Sequence, residues 1–299
     1  MIVKDVSALI GNTPFVRLNA LPGELSASVL VKIEGVNPGG SIKDRICLNI
    51  VDDAERRGLL KPGAVLVEPT SGNTGIGLSM LAASRGYGCI IVMPDNMSRQ
   101  RCEILKSYGA EVLLTPASGG MRAAIEKAGE IERSLKRSFS LRQFSNPANP
   151  EAHRKTTARE ILRDTAGEID AFVCGVGTGG TLSGVGAALK EHSPRVKIIA
   201  VEPASSAVLS GGQPGLHKIQ GIGAGFIPPV LDISLIDEVT RVTDEAAFSC
   251  RLELSKREGI FAGISGGAAV WAALKAAEKL GRGKTVLTIL PDTGERYLS

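Results

Sequence analysis

Short apolar runs rich in β-branched residues alternate along this chain with segments of helical periodicity. The apolar runs occupy residues 29–34, 64–69, 89–94, 110–115, 171–176, 196–203 and 285–290. The helical segments are 44–57, 74–85, 98–108, 120–136, 151–165, 180–191, 244–257 and 266–280. Strands that alternate with helices are typical of α/β proteins whose sheets are mainly parallel. We therefore predict an α/β fold.

The chain is long enough to contain more than one sheet. Its 299 residues are sufficient for two domains, each with its own core. Two Asn-Pro dipeptides in residues 143–155 indicate turns, so we place the boundary between two sheet systems there. Residues 209–229 are rich in glycine and proline and have no periodicity. A segment of this length without regular structure is usually functional, and we predict a functional loop.

The composition excludes several classes of function. The net charge is only +4, and the charged residues are spread along the whole chain, so we predict no nucleic-acid or membrane partner. The five cysteines contain no C-x-x-C pair and the three histidines lie far apart, which argues against a disulfide framework or a metal site. Cys89 and Cys174 lie in apolar runs and are predicted to be buried, inert thiols. The first residues lack the apolar core of a signal peptide, so we predict a cytoplasmic protein.

A glycine-rich turn, GVGTGGTLSG at 175–184, follows an apolar run and opens a helix. Such a turn binds anions through its free backbone N–H groups. Three of its glycines spell G-x-G-x-x-G, and Glu202 ends the next predicted strand, as in a dinucleotide-binding fingerprint. Thr178 and Thr181 instead favour a single phosphate held by N–H groups and hydroxyls. A tightly packed helix start without any ligand is the third interpretation.

A second turn, PTSGNTG at 69–75, also joins a predicted strand to a helix. Thr70, Ser71, Asn73 and Thr74 give it four polar side chains beside free N–H groups, which suits a carboxylate ligand. An ordinary helix N-cap is the alternative, because Ser, Thr and Asn are favoured there. Capping needs one such residue, however, and this turn has four.

Lys43 stands in GGSIKDR at 39–45, on a glycine turn at the start of a helix. A lysine is unfavourable at this end of the helix dipole. A lysine whose amine forms a Schiff base with an aldehyde cofactor would account for the position. A phosphate turn, a carboxylate turn and such a lysine together indicate pyridoxal phosphate and an amino-acid substrate.

The order of these motifs resembles the cysteine synthase (O-acetylserine sulfhydrylase) family, which belongs to the fold type II pyridoxal phosphate enzymes. The resemblance covers nearly the whole chain. Its segments are IGNTPFVRL (10–18), NPGGSIKDR (37–45), EPTSGNTGIGL (68–78), QFSNPANPEAHRKTT (143–157), GVGTGGTLSG (175–184), HKIQGIGAGFIP (217–228), GIFAGISGGAA (259–269) and LPDTGERYLS (290–299).

The resemblance implies a fold similar to that of the tryptophan synthase β-subunit. This fold has two three-layer α/β domains with mainly parallel sheets and an active site in the cleft between them. Residues 35–145 would form a smaller, mobile domain carrying the substrate-carboxylate loop and the cofactor lysine. Residues 1–34 and 146–299 would form a larger domain carrying the phosphate loop. A homodimer is implied by the family as well.

The resemblance also implies roles for individual residues. Lys43 would bind the cofactor aldehyde and move the substrate α-proton, Asn73 would bind the cofactor phenolic oxygen, and Ser265 would face the pyridine nitrogen. The phosphate loop would be Gly177, Thr178, Gly179, Gly180 and Thr181, which speaks against a dinucleotide. The substrate-binding residues would be Thr70, Ser71, Gly72, Asn73, Thr74, Gln143 and Gly221. We call residues 70–74 the carboxylate turn and residues 218–228, which would close over the substrate, the closing loop.

The implied reaction is a β-replacement that converts O-acetyl-L-serine and sulfide to L-cysteine and acetate. Relatives that use O-phosphoserine tend to have an arginine in the closing loop, and the sequence KIQGIGAGFIP has none. Thiosulfate as the sulfur source and a cystathionine β-synthase activity are the other enzymatic alternatives. The non-enzymatic alternative is a binding partner of serine acetyltransferase, whose C-terminal tail fits the active site of this family.

Two positions depart from the family pattern. Gly266 stands where many relatives have a second serine, next to Ser265. Asp292 lies in the segment expected near the ring nitrogen of the cofactor. A carboxylate that reached this nitrogen would strengthen the cofactor as an electron sink.

Overall fold

The computed structural model describes residues 2–298 and confirms the predicted α/β fold with mainly parallel sheets. The chain forms two compact units. Unit 1 contains the start of the chain up to Ile10 and the segment Asn37–Ala148, and unit 2 contains Gly11–Val36 and Asn149–Leu298. The chain therefore passes from one unit to the other within the predicted boundary segment 143–155.

The regular elements of the described residues are numbered in chain order. The strands are β1 (Phe15–Arg17), β2 (Ser28–Ile33), β3 (Val65–Pro69), β4 (Gly88–Pro94), β5 (Glu111–Thr115), β6 (Ser138–Phe139), β7 (Ala171–Gly175), β8 (Lys197–Pro203), β9 (Glu238–Val242) and β10 (Thr285–Leu290). The α-helices are α1 (Lys43–Arg56), α2 (Asn73–Arg85), α3 (Arg99–Ser107), α4 (Gly120–Ser134), α5 (Ala148–Ala152), α6 (Ala158–Thr165), α7 (Gly180–His192), α8 (Asp244–Glu258) and α9 (Ile264–Leu280).

Unit 1 is built on a parallel four-stranded sheet with the strand order β5-β4-β3-β6. Strands buried on both faces read as nearly continuous apolar runs, and Val67 and Val92 on the two central strands are fully buried. Strand β3 pairs with β4 from Val65↔Gly88 to Pro69↔Val92. Because the strands are parallel, the carboxyl end of β3 lies at the edge of the sheet where ligands usually bind, and the carboxylate turn begins there.

Unit 2 is built on a six-stranded sheet with the order β1-β2-β10-β7-β8-β9. Only β1 is antiparallel to its neighbour. Helix α9 packs on β7 and β10, and small residues such as Ala268 and Ala273 are fully buried in this core. Within the described chain, no helix or strand lies between Ser206 and Ile233, so the prediction of a loop at 209–229 is confirmed.

Three strands were not predicted from the sequence. Strands β1 and β6 have three and two residues, too few for a period to be visible. Strand β9 lies at the edge of its sheet and contains Glu238 and Arg241, in keeping with the charged residues that protect exposed edges.

The segment 151–165 is not the single helix that was predicted. A π-helical turn, His153–Thr157, separates α5 from α6. Such turns occur frequently at functional sites, and residues on this turn contact the phosphate loop.

The start of the chain groups with unit 1, whereas the sequence-based division assigned residues 1–34 to the other domain. The reason is a 3-10 turn, Val6–Leu9, which packs on α2. The mobility of the smaller domain stays a prediction. No helix among residues 2–298 is both long and apolar enough to cross a membrane.

Candidate active site

Lys43 is the first residue of α1, and its side chain is half-buried. The next residue, Asp44, is fully buried and accepts a hydrogen bond from the Gly39 N–H at 2.6 Å. A Cβ atom at Gly39 would lie 2.5 Å from Asp44 Oδ1, and one at Gly77 of α2 would lie 2.8 Å from it. The carboxylate of Asp44 therefore requires glycine on both sides. It fixes the turn before Lys43 and allows α1 to pack closely on α2.

The carboxylate turn connects β3 to α2. The Thr70 N–H donates to the carbonyl oxygen of Val92 at 3.0 Å, and Thr70 Oγ1 accepts from the Gly72 N–H at 3.2 Å. Gly72 is the N-cap of α2, and no side chain caps this helix. The polar residues Ser71, Asn73 and Thr74 are thus not explained by capping, which weakens the ordinary N-cap interpretation. First-turn N–H groups at an uncapped helix start attract anions.

Gln143 reaches the carboxylate turn from a distant part of the sequence. Thr74 Oγ1 donates to Gln143 Oε1 at 2.7 Å, and both side chains are buried. The Cys47 thiol of α1 donates to the carbonyl oxygen of Thr74 at 3.4 Å. Unit 1 therefore brings the carboxylate turn, Gln143 and the helix that carries Lys43 into one neighbourhood.

A buried carboxylate, Glu68 of β3, supports this neighbourhood. It accepts hydrogen bonds from the Ser140 hydroxyl at 3.0 Å and from the Leu141 N–H at 2.9 Å. Burial raises the pKa of Glu68 to about 7, although these hydrogen bonds oppose the shift. Burial also raises the pKa of the Cys89 thiol to about 11 and that of Cys47 well above its ordinary value. Both thiols are therefore neutral at pH 7.

The phosphate loop of unit 2 follows β7 and ends in the first turn of α7. Gly179 is the N-cap of α7 with φ +84°, and no side chain caps the helix. A Cβ atom at Gly177 would lie 2.2 Å from the carbonyl oxygen of Gly221, and one at Gly180 would lie 1.9 Å from Asn149 Oδ1. Only glycine fits at these two positions. The Gly180 N–H donates to Thr178 Oγ1 at 3.4 Å, and Gly179, the N-cap, offers no side-chain acceptor to the other N–H groups of the first turn.

Two threonine hydroxyls accompany these N–H groups. Asn149 Nδ2 donates to Thr178 Oγ1 at 3.1 Å, which orients the buried Thr178 hydroxyl. Thr181 Oγ1 lies 3.1 Å from His153 Nε2. Uncapped N–H groups at the start of a 13-residue helix, together with two oriented hydroxyls, suit a phosphate group. The residues present thus fit the phosphate of pyridoxal phosphate.

His153 is a site residue to which sequence reasoning gave no role. It is buried on the π-helical turn, and its Nδ1 lies 2.9 Å from Thr157 Oγ1. Its two ring nitrogens therefore connect this turn to the phosphate loop through Thr181. The histidine stands inside a motif of the resembled family, but the π-helical turn that directs its ring cannot be recognised from a single sequence.

Glu202 of β8 does not serve the role that the dinucleotide interpretation would give it. Its carboxylate accepts hydrogen bonds from the Leu209 N–H at 2.7 Å, the Ser210 N–H at 3.0 Å and the Ser210 hydroxyl at 2.6 Å. Glu202 is buried and holds the start of the long loop. A carboxylate engaged in this way has less acceptor capacity left for a ribose hydroxyl, so the structure disfavours a dinucleotide.

Ser265 and Gly221 lie together beside the phosphate loop. Ser265 is the second residue of α9 and is buried. A Cβ atom at Gly221 would lie 3.4 Å from Ser265 Oγ, and Gly221 has φ +97°. Gly221 also approaches Gly177 closely. Unit 2 therefore brings the phosphate loop, the closing loop and Ser265 into contact.

The two departures from the family pattern have local explanations. A Cβ atom at Gly266 would lie 3.1 Å from Ala262 Cβ and 3.2 Å from Leu290 Cδ2, so a serine would be tightly packed there. The buried Asp292 accepts a hydrogen bond from the Tyr297 hydroxyl and lies against Gly263. Its carboxylate thus organises the segment that follows β10.

Comparisons with known proteins show what the whole chain is similar to. The family model described as "Pyridoxal-phosphate dependent enzyme" matches residues 6–292. A cysteine synthase of Staphylococcus aureus (strain Mu50) is 52% identical over 298 residues, which cover 99% of this chain and 96% of the relative. The crystal structure of an O-ureido-L-serine synthase has a TM-score of 0.97 and 47% identity, covering 100% of this chain and 94% of its own. A cysteine synthase structure from Entamoeba histolytica has a TM-score of 0.96 and 44% identity. The match covers 100% of this chain and 90% of the Entamoeba chain.

Proposed function

The chain belongs to the pyridoxal-phosphate dependent enzymes, and we propose that it is a cysteine synthase, which converts O-acetyl-L-serine and sulfide to L-cysteine and acetate. The observation that carries this proposal is the 52% identity to a cysteine synthase over 99% of the chain. The matched region spans the positions of both turns, the lysine and the closing loop. The geometry of each unit suits the roles that the reaction requires.

Bound pyridoxal phosphate supplies an electron sink for the negative charge that develops at the substrate α-carbon. Lys43 would hold the cofactor aldehyde, and its Nζ would take the α-proton of the substrate and later return it. Asn73 would bind the cofactor phenolic oxygen. Ser265 would face the ring nitrogen with a neutral hydroxyl, which would give a weaker sink than a carboxylate. A weaker sink suits a reaction in which acetate leaves and carries the electrons away.

The phosphate loop anchors the cofactor through the N–H groups at the start of α7 and the hydroxyls of Thr178 and Thr181. Helix dipole and N–H groups together favour a dianionic phosphate. Anchoring at the phosphate would keep the cofactor bound while Lys43 moves a proton at the substrate.

The substrate carboxylate binds to the N–H groups of the carboxylate turn, to the hydroxyls of Thr70 and Ser71 and to the Gln143 amide. Because Gln143 Oε1 accepts from Thr74 at 2.7 Å, the amide nitrogen is the group that can donate to the carboxylate. The closing loop, through Gly221, excludes water after acetate has left. Sulfide would then replace acetate at the β-carbon, and Lys43 Nζ would return the proton to the α-carbon.

The closing loop favours the acetyl ester over the phosphate ester as the substrate. It contains no arginine that could neutralise a second phosphate group. A homodimer, a complex with the C-terminal tail of serine acetyltransferase, and a cytoplasmic location are parts of the same proposal. They rest on the family resemblance.

The test is an incubation of the purified protein with O-acetyl-L-serine and sulfide, with the amino-acid product identified by mass. We expect L-cysteine from the wild type, none from Lys43→Ala, and wild-type yield from the matched exposed-lysine variant Lys61→Ala. A second incubation contains O-acetyl-L-serine with both sulfide and hydroxyurea. If this incubation gave O-ureido-L-serine in place of L-cysteine, the result would contradict the proposal. Faster turnover of O-phosphoserine would contradict the assignment of the substrate.

A further inference from the structure

Glu68 is a buried ionisable residue that the proposed reaction does not use. It lies in β3, two residues before the carboxylate turn, and only 2% of its surface is exposed. Besides the Ser140 hydroxyl and the Leu141 N–H, the backbone N–H groups of Arg142 and Gln143 face its carboxylate. Successive N–H groups that converge on one anion form a nest. We call residues 141–143 the Glu68 nest.

The backbone of the nest is bent where the sheet ends. Strand β6 pairs with β3 only through Val65↔Ser138 and Leu66↔Phe139, so the residues that follow are released from the ladder. Arg142 has φ +51°, a left-handed conformation that residues other than glycine rarely adopt. Such a conformation persists only where the surroundings hold it in place. The Glu68 carboxylate is the anion around which this turn is arranged.

Contacts on the other side of the nest close the turn. Asn146 Nδ2 donates to the carbonyl oxygen of Leu141 at 3.0 Å. The N–H groups of Ser145 and Asn146 both donate to the carbonyl oxygen of Arg142 at 2.9 Å. The backbone of Gln143 is thus held from both directions, and its side chain is directed to Thr74.

We infer that Glu68 is a positioning residue for the amino-acid substrate: by holding the 141–143 nest, its carboxylate places the Gln143 amide to bind the substrate carboxylate. This inference rests on the proposed function, because the substrate carboxylate is its ligand. Glu68 itself does not touch the substrate. It acts through the backbone of Gln143. The contacts run from the Glu68 carboxylate to the nest, and from the Gln143 side chain to Thr74.

The ionisation of Glu68 gives this role a pH dependence. With a pKa of about 7, Glu68 gains a proton as the pH falls through neutrality. A protonated carboxyl has an O–H donor in place of one acceptor site, and it binds N–H groups less strongly. The titratable groups that interact with it are the thiols of Cys47 on α1 and Cys89 on β4, which stay neutral here. The guanidinium of Arg142, whose backbone belongs to the nest, forms an ion pair with Glu132 at 3.3 Å.

The test compares Glu68→Gln with wild type in steady-state kinetics at saturating sulfide. The amide keeps the size of the side chain and one acceptor oxygen but lacks the charge. We expect the KM for O-acetyl-L-serine to rise at least about tenfold, because hydrogen bonds to a charged group are lost, with kcat changed less than about twofold. The wild-type decrease of kcat/KM below pH 7 should be absent from the variant. The substrate amine titrates in the same way with both proteins, so it does not contribute to the difference between their pH profiles.

Glu132→Gln is the matched control. It makes the same chemical change in a carboxylate that contacts the same segment, but through the exposed side chain of Arg142. We expect its KM and pH profile to equal those of wild type. The absorption spectrum of the bound cofactor should be the same in all three proteins, because the phosphate loop and Lys43 are unchanged.

Hydrogen exchange of the backbone amides gives a readout that does not depend on turnover. In Glu68→Gln, the amides of residues 141–143 should exchange faster than in wild type, while those of α7 should not change. Should Glu68→Gln fail to fold, Ser140→Ala removes one donor to the same carboxylate, and we expect a KM increase of about two- to fivefold.

Three results would overturn the inference. The first is an unchanged KM in Glu68→Gln, or in Ser140→Ala where the former is unfolded. The second is a parallel loss of kcat and of bound cofactor, which would indicate a general structural role. The third is unchanged exchange at residues 141–143. A wild-type protein that does not turn over O-acetyl-L-serine at all would overturn the proposed function and this inference together.

Discussion

Replacement of Lys32 by methionine tests the buried ion pair in unit 2. Lys32 is fully buried, and its amine lies 2.8 Å from Glu160 Oε2 and donates to the carbonyl oxygen of Thr13 at 2.8 Å. The amine also lies 4.3 Å from the centre of the Phe15 ring. The pair connects β2 to α6 and to the segment before β1. Methionine keeps an unbranched chain of similar volume and removes the charge.

The magnitude follows from the geometry. Two unit charges 2.8 Å apart attract each other by about 6 kcal/mol at an effective dielectric constant of about 20. The cost of removing both ions from water offsets much of this attraction. Removal of the cation alone leaves the Glu160 carboxylate, whose side chain is 8% exposed, with its desolvation cost. We therefore expect Lys32→Met to lower the free energy of unfolding by about 3 to 5 kcal/mol.

A double-mutant cycle separates the pair from other effects of the substitution. Glu160→Gln removes the second charge, so Lys32→Met/Glu160→Gln should be more stable than Lys32→Met alone. We expect a coupling energy of about 2 to 3 kcal/mol, because contacting residues in one network are not additive. A reference pair is provided by Lys275 and Glu278, which lie 2.9 Å apart on the surface of α9 and should couple by less than about 1 kcal/mol.

Urea unfolding followed by tryptophan fluorescence measures these free energies. The chain contains a single tryptophan, Trp271, which lies in unit 2 together with Lys32 and Glu160. The signal therefore reports on the unit that contains the pair. A loss of less than about 1 kcal/mol for Lys32→Met, or a double variant as unstable as the sum of the two single variants, would refute this reasoning.

Three further predictions concern the phosphate loop, a helix and the pH dependence of stability. Gly177→Ala should lose the cofactor, measured as bound pyridoxal phosphate per chain, because its Cβ would lie 2.2 Å from the Gly221 oxygen. Gly129→Ala in α4, where only the flexible end of Arg133 is near, should keep the cofactor and raise the free energy of unfolding by about 0.5 to 1 kcal/mol. Because burial raises the pKa of Glu68 from 4.5 to about 7, the folded state binds this proton more tightly than the unfolded state. Its contribution to the free energy of unfolding should therefore decrease by about 3 kcal/mol from below pH 4.5 to above pH 7; urea midpoints across this range should show the decrease in wild type and not in Glu68→Gln.

The sequence was sufficient for seven of the ten strands and seven of the nine α-helices of the described chain. Strand β10 consists of apolar residues and two threonines, and residues 198–201 in the middle of β8 are all apolar, as expected for buried parallel strands. The positions of the turns also follow from local chemistry. Gly177 and Gly180 are glycines because neighbouring atoms leave no room for a Cβ, and a glycine-rich turn before a helix is visible in the sequence.

Contacts between residues far apart in the chain could not be predicted from the sequence. The hydrogen bond from Thr74 to Gln143 joins residues 69 positions apart, and Glu68 meets Leu141 across 73 positions. Both depend on the order of the strands in the sheet and on where β6 stops pairing with β3. The π-helical turn that directs His153 towards Thr181 is a local distortion without a sequence signature. These contacts give the buried polar residues their roles, which the pattern of apolar residues does not reveal.

The visible absorption spectrum of the purified protein, recorded before and after addition of O-acetyl-L-serine without sulfide, tests the central claim most directly. The proposed function predicts a cofactor band from pyridoxal phosphate bound through Lys43 and a shift of this band when O-acetyl-L-serine is added. Sulfide should then restore the original band as L-cysteine is released. A protein whose cofactor band does not respond to O-acetyl-L-serine, but responds to another amino acid, would contradict the assignment of the substrate. A protein that cannot be loaded with pyridoxal phosphate would contradict the role of Lys43 and of the phosphate loop.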